Sequence, residues 1–299
     1  MTEAQRLLDS GVVRRDVPLG PLTTYKAGGA ASYFAEVATT EDLDALIDSG
    51  LTTNREVLVL GRGSNLVVAD AGFDGLVIKL GGTFATAHVE GVEVGAGAAH
   101  PLPKLARLAV DEGVAGLEFF VGVPGSVGGA VRQNAGCFGE ETKDCLVSAT
   151  IVDLTTGERV ERGPADLELS YRHSNVAIDQ LVVSARFRGR PGDPTEGKEK
   201  MRAITRWRKE HQPGGTLNAG SVFKNPPDIA AGELIDRLGM KGTAVGDVSV
   251  SDKHANFFVA GPGATATDIR RLVTLVKDTV FEATGTILEP EIQFVGFDS

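Results

Sequence analysis

Two runs of small residues are where the chain's residue types and spacing point to chemistry. Residues 60–70, LGRGSNLVVAD, set Gly61, Arg62, Gly63, Ser64 and Asn65 directly between two strand-like runs. Consecutive backbone N–H groups in such a turn form a nest for an anion, and Ser64 and Asn65 add side-chain donors. Residues 121–141, VGVPGSVGGAVRQNAGCFGEE, place Gly122, Val123, Pro124, Gly125 and Ser126 just ahead of a short helical run, SVGGAVRQ, which contains Gly128. The free N–H groups at the start of that run would face a pyrophosphate, and Asn134, Ala135 and Gly136 make a second turn beside it. Glycine costs a regular element about 0.5–1 kcal/mol relative to alanine, so such density marks either the close approach of a ligand or a tight sheet crossover. The residues alone leave both open.

Several familiar phosphate and nucleophile signatures are missing. Residues 94–100, VGAGAAH, begin a GxGxxG pattern, but His100 stands where the last glycine belongs, and a bend in a strand accounts for the run. No cluster combines the strand, glycine turn, helix and following acid of a dinucleotide fingerprint. There is no GxxxxGK[ST] and no GxSxG, which removes the usual signals of nucleotide hydrolysis and serine esterase chemistry. What remains is a phosphate-bearing ligand held by loops of another fold.

The elements that must position these loops alternate in type. Short β-rich runs occur at 32–38, 56–60, 75–80, 92–98, 146–154 and 180–189. Between them, Thr40 followed by EDLDALID and closed by Gly50 predicts a capped helix, and PLPKLARLAVDEG carries Leu102, Leu105, Leu108 and Ala109 at helical spacing. Residues 189–198, GRPGDPTEGK, predict a linker to a smaller C-terminal unit. Beyond it come a helix in KEKMRAITRWRKEHQ stopped by Pro213, the loop NAGSVFKNPP, a helix in AGELIDRLG and strands near TAVGDVSV and HANFFVA. A last helix is expected with Thr267 as N-cap and an apolar stripe of Ile269, Leu272, Val273 and Val276, before an extended EPEIQFVG.

At 299 residues the chain is long enough for two or three domains with cores of their own. Thirty basic against forty acidic residues give a net charge of −10, a field that repels nucleic acid and anionic lipid. Cys137 and Cys145 are too few for a disulfide framework or a zinc site and read as buried or idle thiols. The N-terminus lacks a basic region and long apolar run, and no window approaches a membrane span, so a soluble cytoplasmic protein is expected.

Five motifs in order, GRGSNLVVADAGFDGLVI, GLEFFVGVPGSVGGAVRQNAG, LSYRHSN, NAGSVFKNP and LEPEIQFVG, are similar to those of UDP-N-acetylenolpyruvoylglucosamine reductases, also called UDP-N-acetylmuramate dehydrogenases. The resemblance covers nearly the whole chain. It implies an α+β protein with a two-domain FAD-binding module of the vanillyl-alcohol-oxidase type over 1–80 and 81–195. A smaller α+β substrate domain over 196–285 and a C-terminal strand over 286–299 that returns to the active site complete the expectation. By the same resemblance, non-covalent FAD is wrapped by Gly61, Arg62, Gly63, Ser64 and Asn65 and by Gly122, Val123, Pro124, Gly125, Ser126 and Gly128, with Asn134, Ala135 and Gly136 near the ribose or flavin. NADPH is the implied hydride donor and UDP-N-acetylglucosamine-enolpyruvate the acceptor. No metal, nucleic acid or membrane partner is implied, and the chain is expected to be monomeric.

Three residues match the family's catalytic set. The resemblance implies that Arg172 binds the substrate carboxylate and stabilises an enolate, that Glu291 assists there, and that Ser221 gives a proton to the carbanion. Tyr171, Lys224, Asn225 and His211 are the implied substrate contacts. His211 stands ahead of Gln212 and Pro213 where family members often carry lysine, which makes a diphosphate contact there dependent on histidine protonation. The only tyrosines are Tyr25, Tyr33 and Tyr171, so the chain resembles the branch without a tyrosine-bearing insertion. Patterning alone allows each catalytic candidate a bland place in a turn or on a strand surface. Two other readings stand beside the reductase: an oxidase of the same fold acting on a hydroxy acid or sugar alcohol, and a flavin- or nucleotide-sugar-binding protein without catalysis. The C-terminal motifs argue against the first and the presence of Arg172, Ser221 and Glu291 against the second.

Overall fold

A computed structural model describes residues 2–297, so the end of the expected C-terminal segment, residues 298–299, lies outside the described residues. The helices among them are α1 (Glu3–Ser10), α2 (Thr40–Asp48), α3 (Leu102–Asp111), α4 (Val127–Gln133), α5 (Pro194–His211), α6 (Ala231–Arg237) and α7 (Ala266–Thr284). The chain divides into two compact units, each built from separated segments. The first comprises 1–15, 33–61 and 75–207, and the second comprises 16–32, 62–74 and 208–299.

The first unit has two cores. One lies against a five-stranded antiparallel sheet ordered Arg159–Arg162, Leu146–Asp153, Gln180–Arg188, Glu93–Gly97, Ala87–Glu90. The apolar stripe of α3 (Leu102, Leu105, Ala106, Ala109) and Val127, Ala130 and Val131 of α4 bury against it, together with Phe119, Phe120 and Phe187. The second core joins Leu7 of α1 and Leu43, Leu46 and Ile47 of α2 to Val57, Leu76 and Ile78. In the second unit, the strands Ala244–Val245, Val248–Val250 and Phe258–Ala260 form an antiparallel sheet. Ile269, Leu272, Val273, Val276 and Val280 of α7 belong to that unit's core. Gln293–Val295 pairs in parallel with Leu66–Val68. Among the described residues no helix is long and apolar enough to cross a membrane.

Three expectations from the sequence need correction. The N-cap of α2 is Thr39 rather than Thr40, and the N-cap of α7 is Thr265 rather than Thr267. Each real cap closes a capping box with an aspartate three residues on, Asp42 and Asp268. The expected linker at 189–198 is ordered: Arg190–Pro191 pairs with Val114–Ala115, and α5 already begins at Pro194. Both cysteines are free thiols. Cys145 is buried, and burial pushes its thiol pKa well up.

Thr267 nonetheless matters at the start of α7. Asp70, remote in sequence, accepts hydrogen bonds there from the N–H groups of Ala266 and Thr267 (2.9 Å each) and from Thr267 Oγ1 (2.6 Å). Partial burial opposes ionisation of Asp70, but these donors outweigh it and hold the carboxyl below its ordinary value. A carboxyl whose folded pKa is depressed stabilises the protein above the unfolded value, about 3.9, and loses that effect as pH falls through the folded value. Asp70→Ala is therefore expected to lower the unfolding free energy at neutral pH by about 1 kcal/mol, the usual scale for a lost helix cap. The difference from wild type shrinks as the solution is acidified through the folded pKa, which denaturant titrations at neutral and acidic pH measure.

Candidate active site

In the first unit, α4 stands between two of the sequence motifs. Its N-cap is Ser126, whose hydroxyl makes no capping bond. At its other end Asn134 is in the left-handed region at φ 42° and is fully buried. The Asn134 amide donates to Glu141 Oε2 (3.0 Å) and to the Ser170 carbonyl (2.9 Å), and its oxygen accepts the Lys143 N–H (2.9 Å). Both amide hydrogens thus serve protein acceptors. Arg132 Nη1 donates to the carbonyls of Val176 (3.2 Å) and Ala177 (3.0 Å), and Ser174 Oγ donates to the Arg132 carbonyl (2.6 Å).

These bonds fix both sides of a tight turn. Ser170 and His173 exchange backbone hydrogen bonds at 3.2 and 3.1 Å, which leaves Tyr171 and Arg172 at the tip. Arg172 takes φ 54°, a conformation that disfavours any residue with a Cβ by about 1 kcal/mol. Its Nη2 donates to the Gly136 carbonyl at 3.3 Å, and its guanidinium lies 5.0 Å from the centroid of the exposed Tyr171 ring. The unit therefore gathers 134–136 with Tyr171 and Arg172.

In the second unit, Ser221 follows the sharp bend at Gly220 (φ 77°). The next peptides are held on both sides. Val222 N–H donates to the Asn256 carbonyl (2.8 Å), while the Val222 carbonyl accepts the N–H of Glu291 (2.8 Å). Ser221 bridges to Phe257, and Lys224 N–H donates to the Glu289 carbonyl (2.9 Å). Ser221 and Glu291 thereby lie on neighbouring, hydrogen-bonded segments. Asn65 joins them: its Nδ2 donates to the Glu291 carbonyl (2.9 Å) and its own carbonyl accepts the N–H of Gln293 (3.0 Å). Lys224 Nζ pairs with Glu289 at 2.6 Å, an ion pair exposed enough to be worth under about 1 kcal/mol and so cheap to exchange for another anion. Asn225 Oδ1 accepts the Ala231 N–H (3.1 Å) at the start of α6, and His211 is the last residue of α5.

The glycine loops separate by what their missing side chains would meet. A Cβ at Gly63 would stand 2.3 Å from the Leu22 carbonyl oxygen, and one at Gly136 would stand 2.3 Å from that of Glu140, so the protein's own backbone requires both. At Gly125 the nearest atom is Leu102 Cδ1 at 3.7 Å, and at Gly61 it is the Ser126 hydroxyl at 2.9 Å, the end of a side chain. Among the described residues, the backbone N–H groups of Gly61, Arg62, Gly63 and Ser64 donate to no protein acceptor. Successive free amides beside Arg62, and bare backbone that packing does not require, are the donor set a diphosphate needs. The residues fit an FAD diphosphate.

Residues 212–295 match the family of UDP-N-acetylenolpyruvoylglucosamine reductase C-terminal domains, and residues 31–163 match that of FAD binding domains. The UDP-N-acetylenolpyruvoylglucosamine reductase of Erythrobacter litoralis is 43% identical over 289 residues, 96% of this chain and 88% of that protein. That of Parvibaculum lavamentivorans is 41% identical over 286 residues, 96% of this chain and 92% of its own length. The crystal structure of the UDP-N-acetylenolpyruvylglucosamine reductase of Thermus caldophilus superposes with a TM-score of 0.83 at 36% identity, over 95% of this chain and 99% of that one.

The contrast between the glycines predicts opposite outcomes in the flavin-free protein. Gly63→Ala must hold alanine at φ 62° against a carbonyl oxygen and is expected to cost at least about 1–2 kcal/mol of unfolding free energy. Gly125→Ala meets ordinary van der Waals space and should change it by less than about 0.5 kcal/mol. Denaturant unfolding of the two apo-variants checks this, and equal losses would contradict it.

Proposed function

Because the chain belongs to the UDP-N-acetylenolpyruvoylglucosamine reductase family, we propose that Arg172, Glu291 and Ser221 divide its reaction among anion binding, support of that anion and proton delivery. The chain is an FAD-containing, NADPH-dependent oxidoreductase that reduces the enolpyruvyl group of UDP-N-acetylglucosamine-enolpyruvate to UDP-N-acetylmuramate, a step of peptidoglycan precursor synthesis. The observation that carries the proposed roles is the hydrogen bond from Glu291 N–H to the Val222 carbonyl. It sets a carboxyl-bearing residue beside the hydroxyl-bearing Ser221 on two fixed segments.

Residues 61–65 would hold FAD, as would residues 122–126, Gly128, Ala135 and Gly136, and the cofactor would supply hydride acceptance from NADPH and hydride donation to carbon. The chain's own side chains do the rest. When a hydride adds to the CH2 carbon of the enolpyruvyl group, negative charge collects on the neighbouring carbon and spreads into its carboxylate. Arg172 binds that carboxylate through a two-pronged, permanently charged fork and stabilises the resulting enolate. Its ring partner Tyr171 and its bond to the Gly136 carbonyl hold the fork in place before substrate arrives. Glu291 supports the same charge through its carboxyl group. Ser221 holds a proton on Oγ and transfers it to the carbon that bears the carboxylate, which completes saturation of the double bond. Lys224 exchanges Glu289 for a substrate phosphate or carboxylate, with Asn225 and His211 as further polar contacts.

Ser221→Ala is expected to leave bleaching of the flavin absorbance by NADPH almost intact and to slow its return on addition of the enolpyruvyl sugar nucleotide by at least about 100-fold, the scale of one preorganised group. Equal slowing of both half-reactions would refute the role given to Ser221. Arg172→Lys is expected to be severely impaired in the second half-reaction too, because a point charge cannot replace the fork. Anaerobic stopped-flow absorbance reads both.

A further inference from the structure

The run that carries Ser221 rests on a side chain that none of the sequence motifs singled out. Asn256 is 2% exposed. Its Nδ2 donates to the Phe223 carbonyl at 2.8 Å, and its Oδ1 accepts the Phe223 N–H at 2.9 Å. One amide thus meets both backbone groups of one residue, the pairing a neighbouring strand would otherwise supply. The Asn256 carbonyl takes the next N–H upstream, that of Val222, at 2.8 Å. On the opposite side of Val222 lies Glu291. Val222 and Phe223, the two residues after Ser221, therefore both bond to Asn256.

We propose that Asn256 is a positioning residue for the Ser221 hydroxyl, acting through Phe223 and Val222 to fix it relative to the Glu291 segment. The proposal rests on the role given above to Ser221. A buried donor and acceptor left without partners relax toward other partners or water, and a shift of about 1 Å in a reacting group is enough to cost about 100-fold in rate. Isolated loss of the amide therefore acts on proton delivery and not on flavin loading or on reaction with NADPH.

Asn256→Asp separates this role from a role in folding alone. A neutral carboxyl group has the amide's shape and pairs with Phe223 in the same way, its O–H donating to the carbonyl and its C=O accepting the N–H. An ionised carboxylate has no hydrogen to donate and sets a negative charge against the Phe223 carbonyl. Burial favours the neutral form and raises the carboxyl pKa, so the pairing is intact on the acid side of that value and lost on the alkaline side. His254, whose Nδ1 accepts the Asn256 N–H, Lys224 on the same run and Glu291 on the segment bonded to Val222 are present in wild type and variant alike. The effect is read as the difference from wild type at each pH.

The experiment is anaerobic stopped-flow absorbance of the holoenzymes of wild type, Asn256→Asp, Asn256→Leu and Ser221→Ala, from mildly acidic to alkaline pH. It measures bleaching by NADPH and recovery with the enolpyruvyl sugar nucleotide. Asn256→Leu is expected to recover at least about 10-fold more slowly than wild type at every pH. Asn256→Asp is expected to recover within about threefold of wild type at the acid end and at least about 10-fold more slowly at the alkaline end, with NADPH bleaching unchanged throughout. If Asn256→Leu fails to hold FAD, the pH profile of Asn256→Asp decides alone. Recovery of Asn256→Asp in parallel with wild type at every pH, beside a slow Ser221→Ala, overturns the proposal while the role of Ser221 stands. Slowing of both half-reactions together in the Asn256 variants also overturns it. A Ser221→Ala that recovers at the wild-type rate removes the role of Ser221 and the proposal with it.

Discussion

Most of what the second unit offers for chemistry depends on the two backbone bonds of Val222. Its N–H is taken by Asn256 and its carbonyl by Glu291, so one residue fastens a turn, a loop and the segment that pairs in parallel with Leu66–Val68. Closing loops of this length costs conformational entropy, and each bond alone returns only about 1 kcal/mol. The arrangement holds because neighbouring bonds cooperate: Asn65 on Glu291, Lys224 on Glu289, and the amide of Asn256 on Phe223. In the first unit the same part is played by the far end of α4, where Asn134 and Arg132 tie down both sides of the turn that bears Arg172.

The elements were largely legible because their signals are local. Strand runs such as 146–154 and 180–189 appear within a residue or two of where composition puts them, and α3 carries the stripe that its spacing predicts. Cap positions were misread where two threonines compete. In TATD at the start of α7, Thr267 stands next to the aspartate, but the box needs partners three positions apart, and Thr265 with Asp268 satisfies it. The stretch 189–198 looked like a linker because its glycines and prolines obey no period, yet short pairing and a proline-initiated helix order such stretches well.

Long-range polar roles were not legible. Asp70 caps a helix far along the chain, Asn65 reaches the Glu291 carbonyl, and Asn134 and Asn256 bond to backbone groups that only the fold brings near. An asparagine in a loop reads locally as a turn former, and no pattern in one sequence tells where its amide is spent. The glycine loops show the same limit from the other direction. Their density announced bare backbone, but whether Gly63 or Gly125 is bare for the chain or for a ligand depends on a clash with Leu22 in one case and on ordinary van der Waals contact with Leu102 in the other.

The segmented make-up of the units has a consequence for biosynthesis. A chain emerging N-terminus first has everything the first unit needs once residue 207 has left the ribosome. The second cannot close then, because residues 16–32 and 62–74 must wait for 208–299. Until residues 293–295 are made, Leu66–Val68 has no Gln293–Val295 to pair with and presents an open strand edge. Loss of Gln293–Val295 would therefore leave a finished first unit carrying a sticky, unfinished second one, a product suited to chaperone capture or proteolysis rather than to partial activity.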